Sequence, residues 1–322
     1  MKQQSKVWIT LVALWMINGS SFLAIKISID TIPPLLSAGI RFFIAGSILF
    51  AAYFFLQKYE HKHEQIGRRQ WKDAAILAFT LFLGGQGLLT WGAQYLSSGI
   101  TGLLNSTIPL WVAVIAFLVF RKHMTKLIIM GLGAGFGGLM LLVAPSIGDG
   151  TLSPIGISAL IISSISWAIG SLYSSKAKLP ISVLASSGML MITGGLMLTS
   201  VSFLLGEYQG LDLSQISGQS LAALIYLIII ITVVGFTDFY WLLRVTTPSL
   251  ANTFAYVSPV IAVILGWAIL KESITTITIV AMVVILLGVA LMVTTPKKSK
   301  IVKSENGMMS SNSNYLPTLK QE

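Results

Sequence analysis

GQGLLTWGAQYLSSGITGLLNSTIPLWVAVIAFLVFRKHMT, residues 85–125, decides the fold because the chain contains this pattern a second time. The second copy reads GFTDFYWLLRVTTPSLANTFAYVSPVIAVILGWAILKESIT at residues 235–275. The two copies align without a gap at an offset of 150 residues (235 − 85), so that Pro109 matches Pro259. We therefore interpret the chain as two related halves.

Apolar runs recur from one end of the chain to the other. Hydrophobic residues make up 55% and charged residues 10% of the 322 residues, whereas a soluble domain is about one quarter charged. Each run is about 20 residues long, enough to cross roughly 30 Å of hydrocarbon as a helix, and a helix satisfies its own backbone hydrogen bonds in lipid. We expect ten transmembrane helices, at residues 7–28, 34–56, 72–94, 100–120, 126–144, 154–174, 182–205, 219–242, 250–270 and 275–294.

The predicted fold is an all-α membrane protein of two inverted five-helix repeats. Because five is an odd number, the second half enters the membrane upside down relative to the first. The expected units are 1–148, 149–296 and a disordered cytoplasmic tail at 297–322, which is rich in Ser, Asn and Lys. Inverted repeats are typical of transporters, with the substrate bound where the repeats meet, near the midplane. A duplicated scaffold is the alternative.

The positive charges indicate how the chain lies in the membrane. With a cytoplasmic N-terminus, only Lys26, Arg41 and Lys271 of the 21 Lys and Arg fall outside, which leaves 18 (21 − 3) inside. An excess of Lys and Arg in cytoplasmic loops is the rule for membrane proteins. We expect a multi-pass protein of the plasma membrane with both termini in the cytoplasm. The net charge of +10 then requires no nucleic-acid partner.

The sequence contains little that an enzyme needs. It has no cysteine, which excludes disulfides, thiolate metal sites and cysteine catalysis. No predicted span carries a paired acid and base or an activated nucleophile. The run GLGAGFGG (131–138) contains a GxGxxG spacing, but it lies inside a predicted membrane helix, where close helix packing is the better interpretation. We expect neither enzymatic activity nor a cofactor nor a metal site.

The fourth helix of each half carries the features of a known family. TGLLNSTIPLWVAVIAFLVFRKHMT (101–125) and ANTFAYVSPVIAVILGWAILKESIT (251–275) both run from small residues through Pro to an apolar stretch and a charged turn. This pattern resembles the EamA family of the drug/metabolite transporter superfamily, and the resemblance covers nearly the whole chain up to the tail. The second copy has the family's usual glutamate at Glu272, whereas Lys122 stands there in the first. The resemblance implies export of small metabolites, often amino acids or amphipathic drugs.

Polar and aromatic residues inside the spans are the candidate substrate contacts. Amides such as those of Asn18 and Gln86 need an internal partner in lipid, so they are expected to face the bundle. Pro109 and Pro259 each free a carbonyl four residues earlier. The alternatives are interhelical hydrogen bonds, packing kinks and, for the tryptophans, a place at the headgroups. The candidate substrate-binding residues are Trp15, Asn18, Arg41, Gln86, Trp91, Gln94, Asn105, Trp167, Asp238, Trp241 and Tyr256.

Two charged candidates each have two interpretations. Arg41 approaches the outer end of the second span, where it either snorkels to the headgroups or binds a carboxylate or phosphate at the outer mouth. Asp238 lies about six residues before Arg244, roughly 9 Å from the cytoplasmic end of its helix. It either binds a substrate amine or a coupling proton near the inner mouth, or forms a structural hydrogen bond.

The expected function is a secondary exporter that works by alternating access around an apolar and aromatic cavity with a few amide and hydroxyl contacts. Such a cavity suits a small amphipathic metabolite, such as an amino acid, better than a highly charged nucleotide sugar. Multidrug efflux is the alternative within the class, and a non-transporting scaffold or sensor is the alternative outside it. The expected partners are a small-molecule substrate and the lipid bilayer, with a coupling proton as a further candidate.

Overall fold

The computed structural model of the protein describes residues 2–60, 66–121, 124–149, 153–246, 250 and 253–293, and within these ranges all regular structure is helical. This agrees with the expected all-α fold, because a chain in lipid must pair its backbone polar groups internally. The tail predicted at 297–322 lies outside the described residues.

Ten apolar helical segments follow one another along the described chain. Short connections join them, so neighbours in sequence run in opposite directions. We call the end of the bundle where the first helix begins the terminal face, and the other end the opposite face. The segments are α1 (Lys2–Ser28), α2 (Pro34–Glu60), α3 (Arg68–Ala93), α4 (Ser98–Asn105 and Ile108–Phe120), α5 (Lys126–Asp149), α6 (Pro154–Ser174), α7 (Val183–Leu204), α8 (Gly218–Tyr226, Leu227–Val234 and Gly235–Val245), α9 (Phe254–Leu270) and α10 (Thr276–Val293).

Eight of these segments, α1 to α8, are long and apolar enough to span a membrane. The other two, α9 and α10, are apolar but shorter within the described residues, at Val257–Leu270 and Thr276–Met292. A multi-pass membrane fold is therefore shown, and the number of ten spans stays a prediction.

The contacts between helices follow the repeat. Where two helices pack together, their counterparts five positions away along the chain also pack together. Helix α1 packs on α9 as α6 packs on α4, α3 on α6 as α8 on α1, and α3 on α7 as α8 on α2. The pairs α2–α7, α4–α9 and α5–α10 correspond to themselves. Helices from the two halves therefore interleave, and neither half is buried by its own helices alone.

Two local distortions occur at matching places in the two halves. Helix α3 is π-helical over Ala78–Gly87, and α8 is π-helical over Leu227–Val234. Helices α4 and α9 end in left-handed residues, Arg121 with φ 49° and Lys271 with φ 57°, which are again 150 positions apart. Neither feature was predicted from the sequence.

The glycine run of α5 contacts α10 along one face only. A Cβ on Gly288 of α10 would lie 2.5 Å from the backbone nitrogen of Gly135 and 2.7 Å from the carbonyl oxygen of Gly131. The predicted close helix packing is thus confirmed for Gly131 and Gly135. It is wrong for Gly133 and Gly137, which face open space because they lie on the other side of the helix.

Candidate functional site

A cavity of about 490 Å³ lies in the middle of the bundle. Its walls come from α1, α2, α3, α4, α6, α7, α8 and α9, so both halves contribute, while α5 and α10 supply none of the described lining residues. Most of the wall is apolar, with a ring of phenylalanine side chains at Phe22, Phe42, Phe82, Phe236, Phe239 and Phe254.

Side-chain amides and hydroxyl groups interrupt this apolar wall. Asn18 lines the cavity and donates from Nδ2 to the carbonyl oxygen of Leu14 at 2.9 Å. Within the described residues, no hydrogen bond is formed by the side chains of Gln86 and Asn105. The hydroxyl of Ser258 is buried without a partner there. Because buried polar groups normally have partners, these groups are available to a bound molecule.

Arg41 is the charged residue in the described lining. Its side chain is only 8% exposed. The Nε atom donates to the hydroxyl oxygen of Thr232 at 3.0 Å, and the guanidinium carbon lies 4.7 Å from the centre of the Phe42 ring. No carboxylate among the described residues forms an ion pair with it.

The π-helical turn of α8 orients the Thr232 hydroxyl so that its oxygen can accept from Arg41. The Thr232 hydroxyl donates to the carbonyl oxygen of Leu227, five residues earlier, at 2.8 Å. A hydroxyl has one proton to donate, so this bond leaves only its lone pairs for Arg41. The local backbone of α8 therefore holds the guanidinium of α2 against the cavity wall.

Charged groups join helix ends at the opposite face. The Glu272 carboxylate accepts from the backbone nitrogens of Ser98 at 2.7 Å and Gly99 at 3.3 Å, and from the Ser98 hydroxyl at 2.9 Å. It thereby ties the end of α9 to the N-terminus of α4, where a negative charge is favourable. Lys26 of α1 donates to three carbonyl oxygens at the end of α3, those of Ala93, Gln94 and Leu96.

A second carboxylate repeats this arrangement on the same face. Glu207 accepts from the backbone nitrogens of Leu35 at 3.3 Å and Leu36 at 3.1 Å, and from the Ser202 hydroxyl at 2.7 Å. Two acids from the second half thus cap the N-termini of two helices of the first half. We call the contacts of Lys26, Glu207 and Glu272 the polar closure.

An apolar cluster adjoins the cavity on the side of the terminal face. Its buried residues are Leu11, Leu14 and Leu242, with Val7, Trp15, Phe239, Trp241, Leu250 and Phe254 packed against them. Trp15 also donates from Nε1 to the Thr253 hydroxyl at 3.0 Å, which ties α1 to the start of α9. We call this cluster the apolar closure.

Comparison with known proteins agrees with this architecture. The model of the EamA-like transporter family matches residues 6–144 and again residues 154–294. The chain belongs to the EamA-like transporter family. The resemblance found in the two Pro-containing helices is therefore confirmed, and the chain is a membrane transporter.

The relatives extend over most of this EamA-like chain. It is 34% identical over 282 residues to an Escherichia coli K12 protein described as the uncharacterized inner membrane transporter YedA, covering 87% of this chain and 88% of that one. It is 27% identical to the uncharacterized transporter YoaV of Bacillus subtilis, covering 92% and 99%. A crystal structure of a protein with 17% identity has the same fold, with a TM-score of 0.59 over 89% of this chain and 96% of that one.

Five of the predicted site residues of this EamA-like transporter line the cavity. They are Asn18, Arg41, Gln86, Asn105 and Trp167. The burial of Arg41 does not support snorkelling to the headgroups, and its predicted role as a contact for a carboxylate or phosphate stays a prediction. The side chain turns inward to Thr232 and is buried.

Four predicted residues lie elsewhere. Trp15 and Trp241 belong to the apolar closure, because their rings pack between α1, α8 and α9. Trp91 stacks edge-on with Tyr95 at 5.2 Å, and Gln94 is exposed and donates to the carbonyl oxygen of Trp91. None of the four is in the described cavity lining.

Asp238 is half-buried and also lies outside the described lining. Its helix presents Gly235, Phe236 and Phe239 to the cavity, and at about 100° per residue Asp238 falls at the edge of that face. Tyr256 lies in α9, and its side chain is outside what the structure describes.

Sequence reasoning missed Thr232 and Ser258. Thr232 lies within the run LIIIITVV of α8, which reads as an apolar span. The signal for it is a single hydroxyl in an otherwise aliphatic stretch, together with an arginine inside a span that needs an acceptor. Ser258 directly precedes Pro259, so the predicted proline site was close to it.

Proposed function

We propose that this transporter exports small amphipathic metabolites, most of all amino acids or related compounds, by alternating access. The observation that carries the proposal is the cavity between the two halves, with its aromatic wall and few unpaired polar groups. The named relatives support transport and do not specify a substrate.

The size and chemistry of the cavity favour a small amphipathic ligand. Ligand sites are typically about 300–1,000 Å³, with mostly apolar walls and a few well-placed polar groups, and the cavity of about 490 Å³ fits that range. With Arg41 as the cation in the described lining, a phosphate-rich nucleotide sugar would lack counter-charges. An amino acid or a related compound matches both the amides and the phenylalanine side chains.

The two closures support alternating access. The polar closure joins helices of both halves at the opposite face, while the apolar closure joins α1, α8 and α9 near the terminal face. Opening either one alone would expose the cavity to one side of the membrane. The reciprocal pairing of the helices supports the inverted repeat on which such rocking depends.

The transporter is proposed to lie in the plasma membrane with its terminal face in the cytoplasm. The chain has no cysteine, so single-cysteine variants report topology directly. Both Ser175, between α6 and α7, and Gln209, between α7 and α8, are exposed. In intact cells a membrane-impermeant maleimide should label Gln209→Cys, and should label Ser175→Cys only after permeabilisation. The reverse pattern would contradict the proposed orientation.

Asp238 is the proposed site of proton coupling. It is an acid within the span of α8, beside the cavity-lining Phe239. An ionisable residue inside a span is costly and often marks an ion or proton pathway.

The experiment that tests the function is efflux from preloaded cells, over a panel of radiolabelled amino acids and cationic drugs. Wild type is compared with Gln86→Leu, which removes a cavity amide, and with Gln94→Leu, which removes an exposed one. We expect at least one amino acid to leave faster with wild type and Gln94→Leu, and more slowly with Gln86→Leu.

Two results would count against this proposal. Efflux of the cationic drugs alone would favour multidrug efflux. No acceleration by the wild type over empty-vector cells for any compound would favour a non-transporting role.

A further inference from the structure

We propose that Arg41 binds a single carboxylate group of the transported compound, so that the substrates are organic monocarboxylates, including amino acids. This rests on the proposed function, because it specifies the ligand of the same cavity. The anion would lie between α2 and α8, with the apolar body of the ligand against the phenylalanine side chains.

The burial of Arg41 is the first observation. Its side chain is 8% exposed and lines the cavity, yet no described acid neutralises it. Buried charges are normally paired. A ligand that brings its own negative charge would supply the missing partner each time the cavity fills.

The direction of the guanidinium is the second observation. The Nε atom is occupied by Thr232 and one face of the group is covered by Phe42. No described partner takes the two terminal nitrogens. Those nitrogens form the planar fork that binds a carboxylate through two parallel hydrogen bonds.

The asymmetry of the two halves limits the site to one anion. Gly39 and Gly46 of α2 match Gly188 and Gly195 of α7 at an offset of 149 residues (188 − 39), so the counterpart of Arg41 is Leu190. The counterpart of Thr232, 150 residues earlier, is Phe82. The arginine and its acceptor are thus replaced by apolar side chains in the related position, and the described lining offers no second cation.

The remaining polar groups explain why a monocarboxylate is favoured over a dianion. Apart from Arg41, the described lining presents neutral amides and hydroxyls. One guanidinium balances one negative charge, and a second one would be left unpaired in an apolar wall at high cost. A ligand without an anionic group would leave Arg41 unpaired.

The test measures binding to the purified full-length protein in detergent by equilibrium dialysis. The probes are three matched pairs, each an acid and the carboxamide that lacks its carboxylate charge: 3-phenylpropionate, hexanoate and L-phenylalanine. The proteins are wild type, Arg41→Gln, Arg41→Lys and the exposed control Gln94→Leu. Size-exclusion profiles confirm that each variant is folded, and Arg41→Lys keeps the charge if Arg41→Gln fails to fold.

We expect wild type and Gln94→Leu to bind at least one acid about tenfold tighter than its amide, as hydrogen bonds to a charged group imply. Arg41→Gln should bind acid and amide equally, and Arg41→Lys should keep part of the preference because it retains the charge but not the fork. Chloride at the same concentration should compete only weakly.

Several outcomes would overturn the carboxylate site. Wild type without acid preference would do so, as would binding of none of the six probes, preference retained in Arg41→Gln, or equal competition by chloride. These outcomes are distinct from failure of the proposed function. Efflux of a neutral compound, with no preference for acids, would support the exporter and contradict the carboxylate site. Binding of an acid without any efflux would support the carboxylate site and contradict the exporter.

Discussion

At the scale of single residues, the central feature is Arg41, a cation inside a membrane-spanning helix. A charged side chain at the centre of a membrane helix costs roughly 2.5–3.5 kcal/mol on insertion scales. Arg41 recovers part of this through its hydrogen bond to Thr232 and its contact with the Phe42 ring. A cation over an aromatic ring contributes about 0.5–2 kcal/mol. The balance leaves a guanidinium that is held in place but not neutralised.

Thr232→Val should weaken the acid preference without abolishing it. The charge remains, but Nε loses its acceptor and the fork is no longer held in one orientation. A net hydrogen bond is worth about 0.5–1.5 kcal/mol, so the ratio of amide to acid dissociation constants should fall about threefold. Thr237→Val is the matched control, since that hydroxyl is exposed and bonds only to Val233 of its own helix. An unchanged ratio in Thr232→Val would mean that Thr232 does not position Arg41.

Asp238→Asn should separate coupling from binding. The side chain lies outside the described cavity lining, so the dissociation constant for the preferred acid should stay within about twofold of wild type, as expected for a substitution away from the site. Transport in proteoliposomes should lose its response to an imposed pH gradient, because an amide cannot carry the proton. A retained response would remove Asp238 from coupling, and a lost affinity would place it in the binding site.

At the scale of helices, α5 and α10 form a closely packed pair that stands apart from the cavity. Gly131 and Gly135 let α10 approach so closely that Gly288 meets their backbone. In lipid the association of helices depends on such close packing, since lipid tails are as apolar as the side chains.

Gly288→Ala should therefore destabilise the protein although alanine is the better helix former. Its Cβ would lie 2.5 Å and 2.7 Å from backbone atoms of α5, which cannot rotate away, so the helices must separate. We expect a loss of about 1–3 kcal/mol, as for other overpacked sites, seen as a lower apparent Tm in detergent.

Gly137→Ala is the control for this prediction, because its Cβ would have no atom within 4 Å. It should leave the Tm unchanged or raise it slightly. Equal Tm values for both variants would contradict the packing between α5 and α10.

At the scale of the whole molecule, the cavity lies between two closures of different chemistry. The polar closure uses carboxylates that accept from helix N-termini, and the apolar closure uses packed leucine and aromatic side chains. Contacts of Glu272 and Glu207 join the two halves, so relative motion of the halves must break them.

Glu272→Ala should open the cavity toward the opposite face. Hydrogen bonds to a charged group contribute about 1.5–3 kcal/mol, and since this acid is partly exposed we expect a shift of only about fivefold in the open population. A reporter Asn105→Cys should then react about fivefold faster with an impermeant maleimide added outside intact cells.

Asp212→Ala is the matched control for the closure. Asp212 is also an acid of the opposite face, but it accepts from Ser214 and Gln215 of its own turn. It should not alter labelling of the reporter. Equal labelling in Glu272→Ala and wild type would show that this acid is not part of a gate.

The sequence was sufficient to predict the membrane class, the family and the paired Pro-containing helices, because apolar length and a gapless repeat are read directly from residue order. It also predicted that Asn18 and Gln86 face the bundle, since an amide in a span needs an internal partner, and both line the cavity in the structure. It failed for Trp15 and Trp241, because composition cannot distinguish a ring that closes a cavity end from one that lines the cavity.

The tertiary structure alone decided the place of Arg41. From its position in the sequence, Arg41 lies near the end of a predicted span, where an arginine side chain is expected to extend to the headgroups. In the folded bundle the π-helical turn of α8 brings the Thr232 hydroxyl within 3.0 Å of its Nε. That acceptor is 191 positions away in sequence, and no local pattern connects the two. Residue order therefore determined which side chains lie in the membrane, and packing between α2 and α8 determined that one charge faces the cavity, because only a distant hydroxyl could turn it inward.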